Sequence, residues 1–264
     1  KEGITVLGVD IGGATTDMYS ICPPTKRSDV LLHGLEEPFA KRTVEGDLGM
    51  RYSAPGIIKS LSEQEIKFIN KEKGVDIEKE VDARYKNVQS LPENEHDEFI
   101  DQFLAEMCAY RAMHRHVGRI EEVFTPMGKV FNQIGKDLTD IKYVIGTGGV
   151  VINSKDKESI MIRTTNILHN QAELRPTDPT FMVDQKYIMA AMGLLSKKDP
   201  ELALKIMKKY IQFYKKFNYF SISCILIFLF VFPQLNFMSV KERETRAKLR
   251  SIHCLIKMYE RNEG

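Results

Sequence analysis

The chain has 264 residues, 43% apolar and 28% charged, so it can bury a substantial core and general disorder is excluded. Its 38 Lys and Arg and 36 Asp and Glu are interspersed, leaving a net charge of +2 and no basic stripe for nucleic-acid binding. The four cysteines are far apart and no secretory signal opens the chain, which favours a cytoplasmic protein with reduced thiols.

The first predicted element is a buried strand over residues 4–9, followed by a glycine bend and a returning strand that starts after the second threonine. The bend and its flanks carry Asp10, Gly12, Gly13, Ala14, Thr15, Thr16 and Asp17. We expect the N–H groups of Gly12 to Thr15 to point together at a phosphate, with the hydroxyls of Thr15 and Thr16 as further donors. Two carboxylates beside a phosphate require a cation, so one or both are expected to hold hydrated magnesium. A glycine hairpin with solvated acids is the alternative.

Helices follow this strand region. A charged helical segment from 60 to 88 is interpreted as part of an inserted helical subdomain at about 56–92. Apolar residues at three- and four-residue spacing predict a helix over 95–117, which Gly118 ends. Further helices are expected at 157–168, 185–196 and 199–213, the last of them capped by Asp199. Strands interleaved with helices predict an α/β fold.

A second glycine turn ends another short apolar strand, at residues 141–149. It contains Gly146, Thr147, Gly148 and Gly149. Glycines at this position would let the backbone lie flat against the ring or sugar of a ligand. A strand-to-helix turn without a ligand is the alternative interpretation.

Two charged segments have open roles. A basic cluster ends the helix at 95–117, where the helix dipole favours cations without any ligand, although His116 or Arg119 could instead approach a nucleotide. Glu45, Gly46 and Asp47 form either a simple turn or, as the family resemblance in the next paragraph implies, a loop near the phosphates.

The two glycine turns, in this order, resemble those of the actin, sugar-kinase and heat-shock-chaperone ATPase superfamily. Segments at 43–53, 115–119, 135–138 and 183–188 narrow the resemblance to the MutL (GlmL) family of glutamate-mutase accessory proteins, over residues 3–213. The resemblance implies a ribonuclease-H-like, actin-type ATPase lobe with an inserted helical subdomain. It also implies an ATP-driven reactivating factor that exchanges damaged cobalamin out of adenosylcobalamin-dependent mutases.

The same resemblance implies residue roles, cofactors and partners. Asp10 would hold Mg²⁺ through water, Asp17 would position Mg²⁺ or the attacking water, and the first turn would cradle the phosphates of ATP or ADP. Gly146, Gly148 and Gly149 would flank the adenosine. The partners would be the mutase subunits and an N-terminal ATPase lobe, because the superfamily's first phosphate motif is expected in an earlier lobe. The chain by itself is therefore expected to hydrolyse little ATP.

The tail differs from the family pattern. Residues 220–232 are strongly apolar and a basic segment follows, so we divide the chain into an ATPase lobe at 1–213 and a divergent tail at 214–264. A membrane helix needs about 20 apolar residues, so this run is short for a span. It is interpreted as a buried element, with a membrane segment or a sequence irregularity as alternatives.

Two other functions compete with the reactivating factor. One is a small-molecule kinase of the same superfamily, in which a carboxylate activates a substrate hydroxyl. The other is a non-catalytic protein-interaction module that keeps the nucleotide turn as a scaffold.

Overall fold

The computed structural model describes residues 5–25, 30–126, 128–165 and 172–213. The helices in these ranges are α1 (Ala54–Lys59), α2 (Glu63–Lys73), α3 (Ile77–Lys86), α4 (Glu95–His116), α5 (Gly149–Asn153), α6 (Lys157–Ile162), α7 (Met189–Leu195) and α8 (Pro200–Tyr210). The chain divides into two units: the first comprises residues 1–62 and 76–214, and the second includes residues 63–75 and therefore α2. All other described elements belong to the first unit.

The strands form two sheets. They are β1 (Val6–Ile11), β2 (Thr16–Ile21), β3 (Leu31–His33), β4 (Ala40–Glu45), β5 (Arg119–Thr125), β6 (Gly128–Ile134), β7 (Tyr143–Thr147), β8 (Thr180–Asp184) and β9 (Ile211–Phe213). Six of them form one sheet in the order β4-β2-β1-β7-β8-β9, and three form another in the order β3-β6-β5. Helices and a mixed sheet in one chain confirm the predicted α/β class.

Strand β1 organises the larger sheet. It pairs antiparallel with β2 across the predicted glycine hairpin and parallel with β7, and β7 in turn pairs parallel with β8. The strands β1, β7 and β8 therefore run in the same direction, so that their carboxyl ends meet at one edge of the sheet.

The two faces of the larger sheet differ in burial. Leu7, Val9 and Ile11 alternate along β1 and are at most 1% exposed. Helix α4 covers this face, because His116 at its end bonds to Ser20, which lies opposite Leu7 in the β1–β2 register. The other face is more open, since Tyr19 on it is 36% exposed. Polar residues near the strand ends of this second face can therefore reach solvent.

Helix α4 confirms the prediction of a helix over 95–117. The side chain of Asn94 caps it by accepting a hydrogen bond from the N–H of Asp97 at 3.0 Å, and Gly118 follows one residue after its C-cap. Its apolar side includes Ile100, Leu104 and Cys108, all fully buried. Burial raises the pKa of the Cys108 thiol to about 12, so this cysteine is an apolar core residue.

The other helices were predicted with less accurate bounds. Helix α8 begins as expected, with Asp199 accepting from the N–H of Leu202 at 2.9 Å, but it ends at Tyr210 because the chain continues as β9. Helix α7 begins at Met189, later than predicted, because Asp184 accepts from the two N–H groups at its start. Helix α6 ends at Ile162, and residues 166–168 of its predicted range lie outside the described residues.

The predicted helical segment at 60–88 contains more than one element. Helix α2 starts at Glu63, directly after Ser62, and α3 starts after its cap Asp76, which accepts from the N–H of Lys79 at 3.3 Å. Gly74, with a φ of 65°, separates the two helices. The bounds of the predicted insertion stay a prediction.

The hairpin of β5 and β6 was not predicted. Its strands pair antiparallel from Arg119 with Ile134 to Thr125 with Gly128. Charged residues interrupt its apolar pattern and Phe124 is 80% exposed, so the alternation that announces a half-buried strand is weak. No helix in the described residues is long and apolar enough to cross a membrane. The predicted apolar tail at 214–264 lies outside the described residues.

Candidate functional site

The candidate site lies at the edge where three parallel strands end. The register of β1 with β7 places Asp10 beside Thr147, and β7 and β8 pair up to Gly146 and Val183, so that Asp184 comes next. The Thr147 hydroxyl donates to Oδ2 of Asp184 at 3.4 Å. Carboxyl ends of parallel strands are a usual place for ligands in open α/β sheets.

A further carboxylate, that of Asp17, lies close to Asp10 at this edge. Asp17 on β2 lies directly opposite Asp10 in the hairpin register, and like charges at opposite positions repel. Burial, followed by the charges of Asp17 and Asp184, raises the pKa of Asp10, whereas the guanidinium of Arg42 acts in the other direction. The site therefore favours a proton or a cation at Asp10.

Asp17 already has polar partners. Nε and Nη2 of Arg42 donate to Oδ1 of Asp17 at 3.0 and 2.8 Å, and the hydroxyl of Thr15 donates to its Oδ2 at 3.1 Å. The Arg42 side chain is 58% exposed, against 11% for Asp17. An exposed cation thus neutralises a mostly buried carboxylate.

The turn between β1 and β2 has backbone donors that face no internal acceptor. The N–H groups of residues 50–52 donate to the carbonyls of Gly12 and Gly13 at 2.8–3.0 Å, which ties these carbonyls to the following loop. The N–H of Gly12 donates to the carbonyl of Thr15 at 2.9 Å. Within the described ranges, the N–H groups of Gly13, Ala14 and Thr15 have no hydrogen-bond acceptor. Consecutive free N–H groups of this kind can bind an anion.

Three details of the predicted phosphate cradle need correction. The hydroxyl of Thr15 was expected to donate to a phosphate, but it donates to Oδ2 of Asp17 at 3.1 Å. Gly12 was expected to point its N–H at a ligand, but that group bonds within the turn. Thr16 was expected to offer its hydroxyl, but it is fully buried and its Oγ1 donates to the carbonyl of Leu48 at 2.9 Å. Side chains alternate along a strand, so Thr16 points to the helix-covered face while Asp17 points to the open one.

The loop behind the turn is held in place by ion pairs. Gly49 packs so closely that a Cβ on it would lie 2.5 Å from the carbonyl carbon of Ala14. Arg51 binds Asp101 of α4, with Nη2 to Oδ2 at 2.7 Å. Arg115 binds Asp47 at 2.6 and 2.8 Å. Residues 45–47 were expected to form either a simple turn or a loop near the phosphates. Through Asp47 they tie the loop behind the glycine turn to α4.

The glycines of the second turn serve different purposes. A Cβ at Gly146 would lie 2.9 Å from Sδ of Met161, on the helix-covered side. A Cβ at Gly148, which has a φ of 96°, would lie 2.3 Å from the carbonyl oxygen of Ile11. Both positions need glycine for internal packing. Gly149 is exposed with open space around its Cα, and it is the glycine of this turn that a ligand can approach.

Asp184 and Tyr187 were not among the predicted site residues. Asp184 is fully buried and accepts from the N–H groups of Ile188 and Met189 at 3.0 and 2.9 Å. Tyr187 has a φ of 53°, a backbone conformation that residues other than glycine rarely adopt, and its side chain is 60% exposed. The charge of Asp10, followed by burial and the charge of Asp184, raises the pKa of the Tyr187 phenol. A strained residue at a cluster of acids is typical of a functional site.

The sequence contains a signal for Asp184. The apolar run Phe181-Met182-Val183 is followed directly by Asp184. The apolar run of the first strand is likewise followed by Asp10, so the same pattern of a strand and then an acid occurs twice. Arg42 carries no local signal, because only strand pairing brings it to Asp17.

The two residues of the basic cluster that were considered for the nucleotide, His116 and Arg119, have other partners. His116 is fully buried, with Nδ1 2.9 Å from the hydroxyl of Thr43 and Nε2 2.9 Å from that of Ser20. Nε of Arg119 donates to Glu121 at 2.6 Å on β5. The structural interpretation of both residues is therefore favoured. No group of three or more His, Cys, Asp or Glu side chains in the described ranges is arranged to hold a metal by itself.

Comparison with known proteins identifies the family of this chain. The sequence profile of a family described as MutL protein matches residues 1–211. The chain belongs to the MutL family. The family resemblance inferred from the sequence is thereby confirmed.

One relative in this family is Protein MutL of Clostridium tetanomorphum. It is 44% identical over 214 residues, which are 80% of this chain and 46% of that protein. The chain thus spans about half the length of this curated relative. No solved structure matches the chain.

Proposed function

We propose that this MutL-family chain is part of an ATP-binding reactivating factor for an adenosylcobalamin-dependent mutase, such as glutamate mutase or an aminomutase. Family membership supports the accessory role. The observation that carries the nucleotide part of the proposal is the turn from Gly13 to Thr15, whose free N–H groups lie at the same strand end as Asp10.

The sheet supports an actin-type ATPase lobe. Five of its strands lie side by side in the order β4-β2-β1-β7-β8, so that the first strand of the chain is the central one. Strand β2 is antiparallel to both of its neighbours, β1 and β4, whereas β7 and β8 are parallel to β1. This is the arrangement expected of a ribonuclease-H-like sheet, with the glycine hairpin between its first two strands.

The residues at the strand ends fit a magnesium nucleotide. Mg²⁺ is usually held by one or two carboxylates, waters and the substrate's phosphates, so a protein cage of three side chains is not required. Its chemistry would be to neutralise phosphate charge. Asp10 would hold it through water, Asp17 would orient it or the attacking water, and the N–H groups of residues 13–15 would bind phosphate oxygens. Gly149 would leave room for the nucleoside.

The proposed partners are the mutase subunits and a further ATPase lobe. The free N–H groups and the carboxylates all come from one hairpin and the adjoining strand ends. They would contact a phosphate chain from one side. A second lobe carrying the superfamily's other phosphate motif would close the site from the other side, and alternate opening and closing would drive cobalamin exchange. Cytoplasmic localisation is part of the same proposal.

The first test is a calorimetric titration of magnesium-ADP and magnesium-ATP into the chain and into Asp10→Asn. We expect the variant to bind at least about tenfold more weakly, because it loses the charge that faces the cation. Binding should also weaken as the pH falls through the raised pKa of Asp10, since the protonated carboxyl no longer attracts a cation.

The matched control is Asp82→Asn on α3. Asp82 is 53% exposed and pairs with Lys86 outside the site, so its removal should leave nucleotide affinity unchanged. Equal affinity of the wild type and Asp10→Asn would contradict the proposed site.

Two further readouts separate the competing functions. Co-purification of mutase subunits with the chain, together with nucleotide binding, is expected for the reactivating factor. Phosphate transfer to a small molecule would instead identify a kinase. Mutase binding without any nucleotide affinity would identify an interaction module.

A further inference from the structure

The ion pair between Arg42 and Asp17 differs from the other buried-acid pairs near the turn. Arg42 lies on the edge strand β4, and both of its bonding nitrogens contact the same oxygen, Oδ1 of Asp17. Its guanidinium carbon lies 5.3 Å from the centre of the Tyr19 ring. More than half of the side chain is exposed, on the open face of the sheet.

Other arginines near the turn are held more firmly. Arg51 donates to Asp101 and also to the carbonyls of Met50 and Ser90, and its side chain is 11% exposed. Arg84 is 7% exposed and also binds Asp101. An arginine with several buried acceptors has no low-energy alternative position. Arg42 contacts one carboxylate oxygen and the neighbouring Tyr19 phenol, its side chain is more than half exposed, and exposed ion pairs are individually weak.

Arg42 carries a positive charge beside the acidic side chains at the strand ends. Asp17 lies opposite Asp10 in the β1–β2 register, and Asp184 ends β8, which pairs with β7 beside β1, so that three acids meet at this edge of the sheet. Arg42 opposes them. A phosphate chain brought to this edge would add more negative charge, so the site requires at least one counter-cation.

We propose that Arg42 is a positioning residue that acts as a built-in counter-ion of the nucleotide site. It holds Asp17 while no other cation is present, and it turns from Asp17 toward the phosphates when a divalent cation takes its place. Arg42 and the divalent cation are thus alternative partners of one carboxylate. This inference rests on the proposed nucleotide function.

A direct consequence concerns the metal dependence of binding. With Arg42 present, the site keeps part of its affinity for nucleotide when the metal is removed. Without Arg42, metal-free ADP meets three unbalanced acids, whereas Asp17 becomes freely available to the metal. Both changes increase the ratio of the Kd for ADP in excess chelator to the Kd for ADP in excess magnesium.

The experiment measures this ratio for the full chain, Arg42→Gln, Arg42→Lys and Arg119→Gln by calorimetry. We expect Arg42→Gln to raise the ratio about tenfold, as for the loss of one charge-assisted contact. Arg42→Lys keeps the charge and should stay nearer to the wild type. Arg119 is matched in exposure, at 56%, and also pairs with a glutamate, so Arg119→Gln should leave the ratio unchanged.

The outcomes distinguish this inference from the function on which it rests. An unchanged ratio in a folded Arg42→Gln, with wild-type binding intact, would overturn the role of Arg42 alone. If Arg42→Gln only destabilised the fold, ADP binding would weaken equally in chelator and in magnesium. The ratio of the two Kd values would then stay unchanged, and this result would also count against the proposal. Absence of ADP binding by the wild type in both media would overturn the proposed function and this inference with it.

Discussion

At the scale of single residues, His116 is a fully buried titratable group whose protonation would oppose folding. Burial, reinforced by the charges of Lys41 and Lys136, lowers its pKa from an ordinary 6.5 to about 3. The neutral ring fits between the hydroxyls of Thr43 and Ser20, each of which can donate or accept a hydrogen bond. Its protonation would therefore place an uncompensated charge between β2, β4 and α4.

This depressed pKa predicts a pH-dependent stability. Between pH 6.5 and about 3 the unfolded chain binds a proton at this residue that the folded chain does not. As the pH is lowered through this window, the free energy of unfolding should therefore decrease, by up to about 1.4 kcal/mol per pH unit from this group. Chemical denaturation at several pH values measures the slope.

The variant His116→Gln removes this titration, so its stability relative to the wild type should improve as the pH falls from 6.5. His33→Gln, at an exposed histidine, is the control and should keep the wild-type slope. Parallel stability curves for the wild type and His116→Gln would refute this role of the buried ring.

At the scale of elements, the turn from β7 into α5 depends on contact with β1. Gly148 approaches the backbone of Ile11 so closely that no side chain fits, and its φ of 96° favours glycine independently. Gly149, the next residue, begins α5 in open space. Two adjacent glycines of one motif thus have different physical reasons for being glycine.

A pair of alanine variants tests this difference. Gly148→Ala is expected to lower the free energy of unfolding by about 2 kcal/mol or more, because strained φ and backbone overlap act together. Gly149→Ala should be neutral or stabilising by about 0.4–1 kcal/mol, because alanine reduces the entropy of the unfolded chain and favours the helix. Urea denaturation of both variants gives the comparison, and equal losses would show that the close approach is unimportant.

At the scale of the whole molecule, the described site presents donors and acids from one side of a ligand. Catalysis of phosphoryl transfer relies on groups that surround the reacting phosphate. A chain that spans 46% of its Clostridium tetanomorphum relative is therefore expected to bind nucleotide better than it turns nucleotide over.

A chimaera can test this expectation. Residues 1–211 of this chain would replace the matching region of the Clostridium tetanomorphum protein. We expect phosphate release at least about tenfold faster than from the chain alone, since full enclosure adds positioning and electrostatic stabilisation. The same chimaera with Asp10→Asn is the control for contaminating ATPases. Equal rates for the chimaera and the chain would contradict the need for a second set of groups.

Local sequence rules predicted the elements that local interactions define. The hairpin with Gly12 and Gly13, the capped helices α4 and α8 and the strand before Gly146 each follow from contiguous alternation, spacing or caps. The hairpin of β5 and β6 was missed because its polar and apolar residues do not alternate clearly. Helix α7 was placed too early because the hydrogen bonds that the N–H groups of Ile188 and Met189 donate to Asp184 form only in the folded turn.

The sequence by itself determined the α/β class, the family and the two acids and two glycine turns that mark the candidate site. Only the tertiary structure decided how these groups are used. Register across β2 and β4 brings Arg42 to Asp17, and register across β7 and β8 adds Asp184 beside Thr147. Strand pairing joins residues that are far apart in the chain, and the face on which each side chain lies depends on that pairing, so no local pattern reveals these contacts.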